Sequence, residues 1–450
     1  MNRGTIEFPT RGTNFGIPAS DSLAAILFPP LPGTVRWGLD RTERILSALG
    51  NPHRSYPVLH VGGTNGKGSV ARLWAGILRA AGFRTGLYTS PHLVSFRERI
   101  LVDGLPLPDP ILEEWSRDLR PLLLREAPSY FEAATVLAFH AFARAEVDVA
   151  VVEVGLGGRL DATNVVAPLV TAITNVAWDH GDLLGGTLER IAREKAGILK
   201  PGVPAFTTCD DPALLAVLTE EATIRGTPLR RVPLPTTRVG IDGSRLRIES
   251  RRWGGLELAS PLCGEHQGRN IALAVRSLEA LPPRLPVSAA AIREGVLRTR
   301  VPGRFQLEVE GERQWIFDVA HNSHGVRAFV NTIGWVRPPH PRIGIVGILA
   351  DKGWGEMLPT LLEVLDFLIL VSPESAPPER RWDPWVALAT LPEGRGVVAS
   401  SLGEAFEIAR RESGPSGAVV VTGSTYTVGD GLRLLGRVPV EAMESSAQGE

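Results

Sequence analysis

Cysteine is scarce in this 450-residue chain, and the two present, Cys209 and Cys263, lie far apart and beside no histidine pair. That excludes a disulfide framework and leaves a zinc site without support. A basic excess is missing too. The 48 Lys plus Arg against 49 Asp plus Glu give a formal net charge of −1, so no surplus exists to neutralise a nucleic-acid backbone. No uninterrupted apolar run is long enough to span a bilayer, and Met1 to Ser20 lacks the apolar core of a secretory signal. No internal repeat or low-complexity region stands out. With 44% hydrophobic and 22% charged residues, the chain reads as a cytosolic globular protein with no nucleic-acid and no membrane partner. Its length suggests two or three domains.

What is present begins with Val58-Leu59-His60-Val61-Gly62-Gly63-Thr64-Asn65-Gly66-Lys67-Gly68-Ser69. Val58 to Val61 is an apolar strand that stops at two glycines. Beyond the loop Val70, Leu73, Trp74, Ile77 and Leu78 recur at helical spacing, with Gly82 where a helix would end. Strand, glycine-rich loop with lysine, then helix is how backbone N–H groups, a helix N-terminus and an ammonium hold nucleotide phosphates. The plain alternative is a β–α turn that happens to be rich in glycine. The common pattern ends in Gly-Lys-Ser/Thr, whose hydroxyl binds magnesium. Here Gly68 follows Lys67, Ser69 comes one position late, and Val61 stands where the first glycine would fall. A generic GTPase or kinase-like NTPase therefore fits poorly, and some metal ligands must come from elsewhere in the chain.

Strands at 85–88, 147–154 and 169–176 alternate with helices at 131–143 and 187–199, which implies an α/β fold with a mainly parallel sheet. Residues 229–258 read as small antiparallel strands. Near residue 300 the alternation restarts, with strands at 314–319, 342–348, 367–372 and 418–422. Helices fall at 325–335, 355–365 and 403–411. The expected division is 1–299, then a smaller doubly wound unit at 300–440, then a disordered tail at 441–450. Thr299 to Arg304 is the linker.

Polar residues stand where strands of the first unit should end. Glu153 closes an apolar strand before Gly155-Leu156-Gly157-Gly158-Arg159-Leu160-Asp161-Ala162-Thr163-Asn164, and an acid beside a phosphate loop suits magnesium. His180 follows another strand, and Lys195 lies on a helix. Singly, each has a plainer reading as a cap, a structural histidine or a solvated lysine.

Taken in order, the loop Gly63 to Ser69, Tyr88-Thr89-Ser90-Pro91-His92-Leu93, the Glu153 to Asn164 run, Asp179-His180 and Glu194-Lys195-Ala196-Gly197-Ile198 closely resemble the folylpolyglutamate synthase/dihydrofolate synthase family. That family belongs to the Mur ligase superfamily. His266-Gln267 with Asn270, Pro302-Gly303-Arg304-Phe305, Asp318-Val319-Ala320-His321-Asn322 and Val421-Thr422-Gly423-Ser424 agree, so the resemblance runs from about Trp37 to Gly431. It implies a P-loop-type ATP-binding domain and a Rossmann-like C-terminal domain, with the reaction between them. ATP would phosphorylate a pterin-linked carboxylate of dihydropteroate or folate, and L-glutamate would attack the acyl phosphate.

By the same resemblance Asn65, Gly66, Lys67, Gly68, Ser69, Asn270, Arg304 and Asp318 contact ATP. Ser90, Glu153, His180 and Lys195 serve two magnesium sites, with Lys195 carbamylated into an anionic ligand. Lys67, Glu153, His180 and Lys195 form the catalytic set. Ser129, Leu160 and Ala162 line the pterin pocket, while His321 and Ser424 bind glutamate. Many relatives are monomers. The chain departs from the family at Val319, where glycine is usual, and at Ser323, where proline is, so the turn carrying Asp318 and His321 is expected to differ. A cell-wall Mur ligase acting on a UDP-linked peptide is the alternative within the superfamily, but no third domain for a UDP sugar precedes the loop. A non-catalytic nucleotide switch is the alternative outside it, and it would not need Glu153, His180 and Lys195 together.

Overall fold

The computed structural model describes residues 22–29, 31, 37–179 and 181–448. His180 and the Met1 to Ser20 segment lie outside the described residues.

Eight strands form the first sheet: Val58–Gly62 (β1), Thr85–Tyr88 (β2), Ile100–Val102 (β3), Leu105–Pro106 (β4), Val149–Glu153 (β5), Val170–Ile173 (β6), Ala205–Thr207 (β7) and Leu229–Arg231 (β8). Their order is β4-β3-β2-β5-β1-β6-β7-β8, parallel except where β3 meets its neighbours. β1, β5 and β6 are buried at every residue, which is why they read as continuous apolar runs rather than alternating ones. Val61 is in register with Glu153, and His60 with Thr171. The outlets of β2, β5, β1 and β6 therefore stand side by side along one edge.

The helix Lys67–Ala80 covers one face, pressing Leu73, Trp74, Ile77 and Leu78 against the sheet and the helices Glu265–Leu278 and Ala289–Arg298. The Trp74 indole N–H donates to Ala274 O at 3.0 Å and Ser277 Oγ at 2.9 Å, so that large ring is buried without an unmet donor. On the other face lies the helix Tyr130–Arg144, started by a capping box between Ser129 and Glu132.

Thr237–Gly240 (β9), Gly243–Ser250 (β10) and Gly254–Ser260 (β11) make a separate antiparallel sheet. Leu246 and Ile248 face inward between exposed Arg245 and Arg247. β8, at the start of the stretch read as antiparallel, instead joins the large sheet parallel to β7. Backbone pairing at a sheet edge decides that placement, and local patterning does not carry it.

The C-terminal unit begins its sheet after the Thr299 to Arg304 turn. Its strands are Gln306–Glu310 (β12), Arg313–Asp318 (β13), Arg342–Val346 (β14), Phe367–Leu370 (β15), Gly396–Val398 (β16) and Ala418–Thr422 (β17), ordered β12-β13-β17-β14-β15-β16. Only β12 is antiparallel to its neighbour. The tail expected to be disordered over 441–450 is instead helical over Pro439–Gln448. Proline at the first helical position, a buried Val440, Met443 packed on the core and an Arg97–Glu444 ion pair account for the ordering.

Candidate active site

The phosphate loop leaves β1 and is held on two sides. The Asn65 N–H donates to Asn175 Oδ1 at 3.0 Å, and Thr64 Oγ1 exchanges hydrogen bonds with the Ala177 backbone at 3.2 and 3.0 Å. Lys67 opens the helix, its ammonium donating back to Thr64 O at 3.0 Å. Gly68 faces the carboxylate directly: a Cβ there would stand 3.4 Å from Glu153 Oε2, in van der Waals contact with it. Ser69 Oγ is buried with no hydrogen-bond partner among the described residues.

Glu153 is 4% exposed and accepts the Ser90 backbone N–H at 3.1 Å. Burial pushes its carboxyl above the usual range, opposed first by the Lys67 ammonium and then by Ser90 and Arg304. Lys195 is 4% exposed, and its Nζ donates to Gly63 O at 3.0 Å. Burial first, then the like charge of Lys67, lowers its pKa to about 7. The plainer reading of Lys195 as a solvated helix lysine therefore fails: it is a buried amine at the back of this loop.

The Gly155 to Asn164 run packs onto the end of the helix that carries Lys195. A Cβ on Gly158 would lie 2.7 Å from Glu194 O and 2.9 Å from Lys195 O, an approach only glycine permits. Asn164 Nδ2 bridges Arg159 O at 2.9 Å and Gly197 O at 3.1 Å. Leu160 and Ala162 stand on this loop, and its 3₁₀ turn packs against the Tyr130–Arg144 helix that Ser129 caps.

A cleft of about 260 Å³ between the units is lined by Asn65, Gly66, Ser69, Asn270, Arg304, Asp318 and His321, among others. Asp318 accepts backbone N–H groups of Phe305 and Ala320, both at 2.9 Å. Burial raises its pKa against the pull of Arg304, and Arg304 faces both Asp318 and Glu153. The turn at Val319 keeps these groups in place. The Val319 side chain goes into the core beside Phe317 and Val428, and its N–H donates to Gly303 O at 2.9 Å. Ser323, where proline is usual, bonds Glu356 Oε2 at 2.7 Å. Ser424 is buried at the end of β17 and caps the helix Thr425–Leu434. It does not line the cleft.

Three positions at this junction were given no role by the sequence reading: Asn322, Asp179 and Lys352. Asn322 caps the helix Ser323–Val336 and pairs with Asn65 across the units. Asp179 collects Lys352 Nζ at 2.6 Å, Asn322 Nδ2 at 3.2 Å and His321 Nε2 at 3.4 Å, all from the C-terminal unit. A compositional signal for Lys352 exists, because the chain has four lysines in all and three of them lie at this junction.

Residues 61–278 match the family model described as Mur ligase middle domain, and residues 303–425 match Mur ligase, glutamate ligase domain. Folylpolyglutamate synthase from Lacticaseibacillus casei is 34% identical over 399 residues, covering 86% of this chain and 91% of that protein. Dihydrofolate synthase/folylpolyglutamate synthase from Escherichia coli K12 is likewise 34% identical, with 88% and 90% covered. Among solved structures, Mycobacterium tuberculosis folylpolyglutamate synthase complexed with ADP and AMPPCP superposes with a TM-score of 0.82 at 33% identity, over 90% of this chain and 96% of that one. E. coli FolC in complex with DHPP and ADP gives 0.81 at 32% identity, over 92% and 96%.

Proposed function

Because the chain belongs to the folylpolyglutamate synthase/dihydrofolate synthase family, we propose that it activates a pterin-linked carboxylate with ATP in the cleft between its two units and joins it to L-glutamate. The carboxylate oxygen takes the γ-phosphoryl group and ADP leaves. The glutamate amine then attacks the acyl carbon, phosphate departs, and an amide remains. The observation that carries this reading is the gathering of Lys67, Glu153 and Lys195 behind one phosphate loop whose front opens onto Asn270, Arg304 and Asp318. A nucleotide-binding switch needs no buried carboxylate and neutral amine behind the phosphates. The two matched models, at 61–278 and 303–425, support a division near residue 299.

In this reading Asn65 to Ser69 cradle the phosphates, and the Lys67 ammonium swings from Thr64 O to neutralise the transferring group. Arg304 and Asp318 reach ATP from the second unit, with Asn270 beside Gly66. His321 receives glutamate. Ser424 acts through its cap, orienting the turn after β17 for the same substrate. Ser129, Leu160 and Ala162 face the pterin.

The donor set fits magnesium. The Glu153 carboxylate, the Ser90 hydroxyl and the orphaned Ser69 hydroxyl are hard oxygen ligands. Bound there, magnesium would screen phosphate charge. Lys195 fits the carbamate reading for a related reason, since only a neutral amine takes up carbon dioxide and burial brings this one to neutrality near pH 7. Among the described residues no helix is long and apolar enough to cross a membrane.

Release of ADP from purified protein tests the reaction. Turnover should require glutamate together with dihydropteroate or tetrahydrofolate. ADP release that ignores both would support the switch.

A further inference from the structure

His60 occupies the middle of β1, between aliphatic neighbours, and is 0% exposed. Its Nε2 lies 2.9 Å from Thr163 Oγ1, while Nδ1 has no hydrogen-bond partner among the described residues. Thr163 in turn gives Asp161 Oδ1 both its backbone N–H, at 3.0 Å, and its hydroxyl. The other oxygen, Asp161 Oδ2, accepts the Leu156 N–H at 2.8 Å.

The direction of this relay follows from the donors. Both Asp161 oxygens are claimed by backbone N–H groups, so the carboxylate accepts throughout. The single proton of the Thr163 hydroxyl goes to Asp161, leaving its lone pairs toward His60. His60 must then donate through Nε2, and Nδ1 is the bare nitrogen. Burial, then Lys200, brings the His60 pKa down to about 3, so the neutral donor form persists at any working pH. A leucine would pack there without burying an unmet nitrogen, so the histidine costs stability that its one hydrogen bond must offset.

The relay joins two places the reaction needs. One end is the strand that runs into the phosphate loop two residues later. The other is the loop bearing Leu160 and Ala162, tied down at Leu156 and Thr163 by Asp161. We infer that His60 is a positioning residue for the pterin: through Thr163 and Asp161 it sets the 155–164 loop in register with the phosphate loop. The inference rests on reading Leu160 and Ala162 as pterin contacts.

Steady-state kinetics of His60→Leu, His60→Gln and Thr163→Val tests it, varying pterin substrate and ATP separately. His60→Leu should raise KM for the pterin substrate by about tenfold, the worth of a buried hydrogen bond to a charge-linked partner, while KM for ATP stays within about twofold. Glutamine offers a donor at similar reach and should restore most of the loss. Thr163→Val keeps the shape, breaks the relay, and should copy the leucine variant. If His60→Leu does not fold, Thr163→Val decides alone. An unchanged pterin KM, equal rises in both KM values, or no rescue by glutamine would overturn the inference. Wild-type protein that turns over no pterin at all would overturn the proposed reaction, and this inference with it.

Discussion

The side-chain amides of Asn65 and Asn322 bond each other in both directions, Asn65 Nδ2 to Asn322 Oδ1 at 3.2 Å and Asn322 Nδ2 to Asn65 Oδ1 at 3.1 Å. One residue stands on the phosphate loop, the other at the N-terminus of a helix in the C-terminal unit. Asn322 Nδ2 also reaches Asp179, and Asn322 Oδ1 caps its own helix through the Gly325 N–H at 2.8 Å. The loop proposed to hold phosphates and the unit proposed to hold glutamate are thus joined by one reciprocal amide pair.

Asn322→Asp separates the cap from the joint. The aspartate still accepts the Gly325 N–H, so the melting temperature should fall by only a few degrees. It cannot donate to Asn65, and it places a second carboxylate against Asp179. Turnover should drop about tenfold or more. Wild-type rates in this variant would mean that the pair merely accompanies the docking of the units.

Glu153→Gln keeps the shape and removes the charge that Lys67 and Arg304 face. Activity should fall by orders of magnitude, with little recovery on adding magnesium. The amide is cheaper to bury, so thermal unfolding should be no earlier than in wild type. A variant with normal turnover that melts earlier would make Glu153 a structural cap instead.

Much of this site was legible locally. The phosphate loop, Glu153 at a strand end and Lys195 before Ala196-Gly197 each sit in a short segment whose residue types state their own requirements. Taken singly, Lys195 read as a solvated helix lysine, and only its place in the ordered family motifs pointed elsewhere; the fold buries it. Asp179, Asn322 and Lys352 were illegible as a group because they meet only when two separately folded units dock, and docking leaves no periodic trace in either stretch. The helix at Pro439–Gln448 was missed for a similar reason, since Arg97, its ion-pair partner through Glu444, lies in the first unit.

Burial, and then the like charge of Lys67, brings the Lys195 pKa down to about 7 from the ordinary lysine value of 10.5. Between those values the unfolded chain binds a proton the folded protein does not, so stability rises with pH across that window. Below pH 7 the cost of burying the ammonium is fully present. Lys195→Met removes the cost, so in carbon-dioxide-free buffer the variant should melt later than wild type at pH 6.5, and the gap should narrow toward pH 9.5. A gap independent of pH would show that the amine titrates normally. Lys195→Arg should lose activity, because guanidinium forms no carbamate, and added bicarbonate should raise wild-type activity alone.

The most direct measurement of the central claim is mass spectrometry of the products formed from ATP, L-glutamate and either dihydropteroate or tetrahydrofolate, in wild type and in Lys67→Ala. Wild-type protein should extend at least one pterin substrate by a single glutamyl residue for each ADP released. Lys67→Ala, with unchanged circular dichroism, should extend neither. A wild-type protein that releases ADP without glutamylating a pterin, or a Lys67→Ala variant that glutamylates at the wild-type rate, would contradict the account.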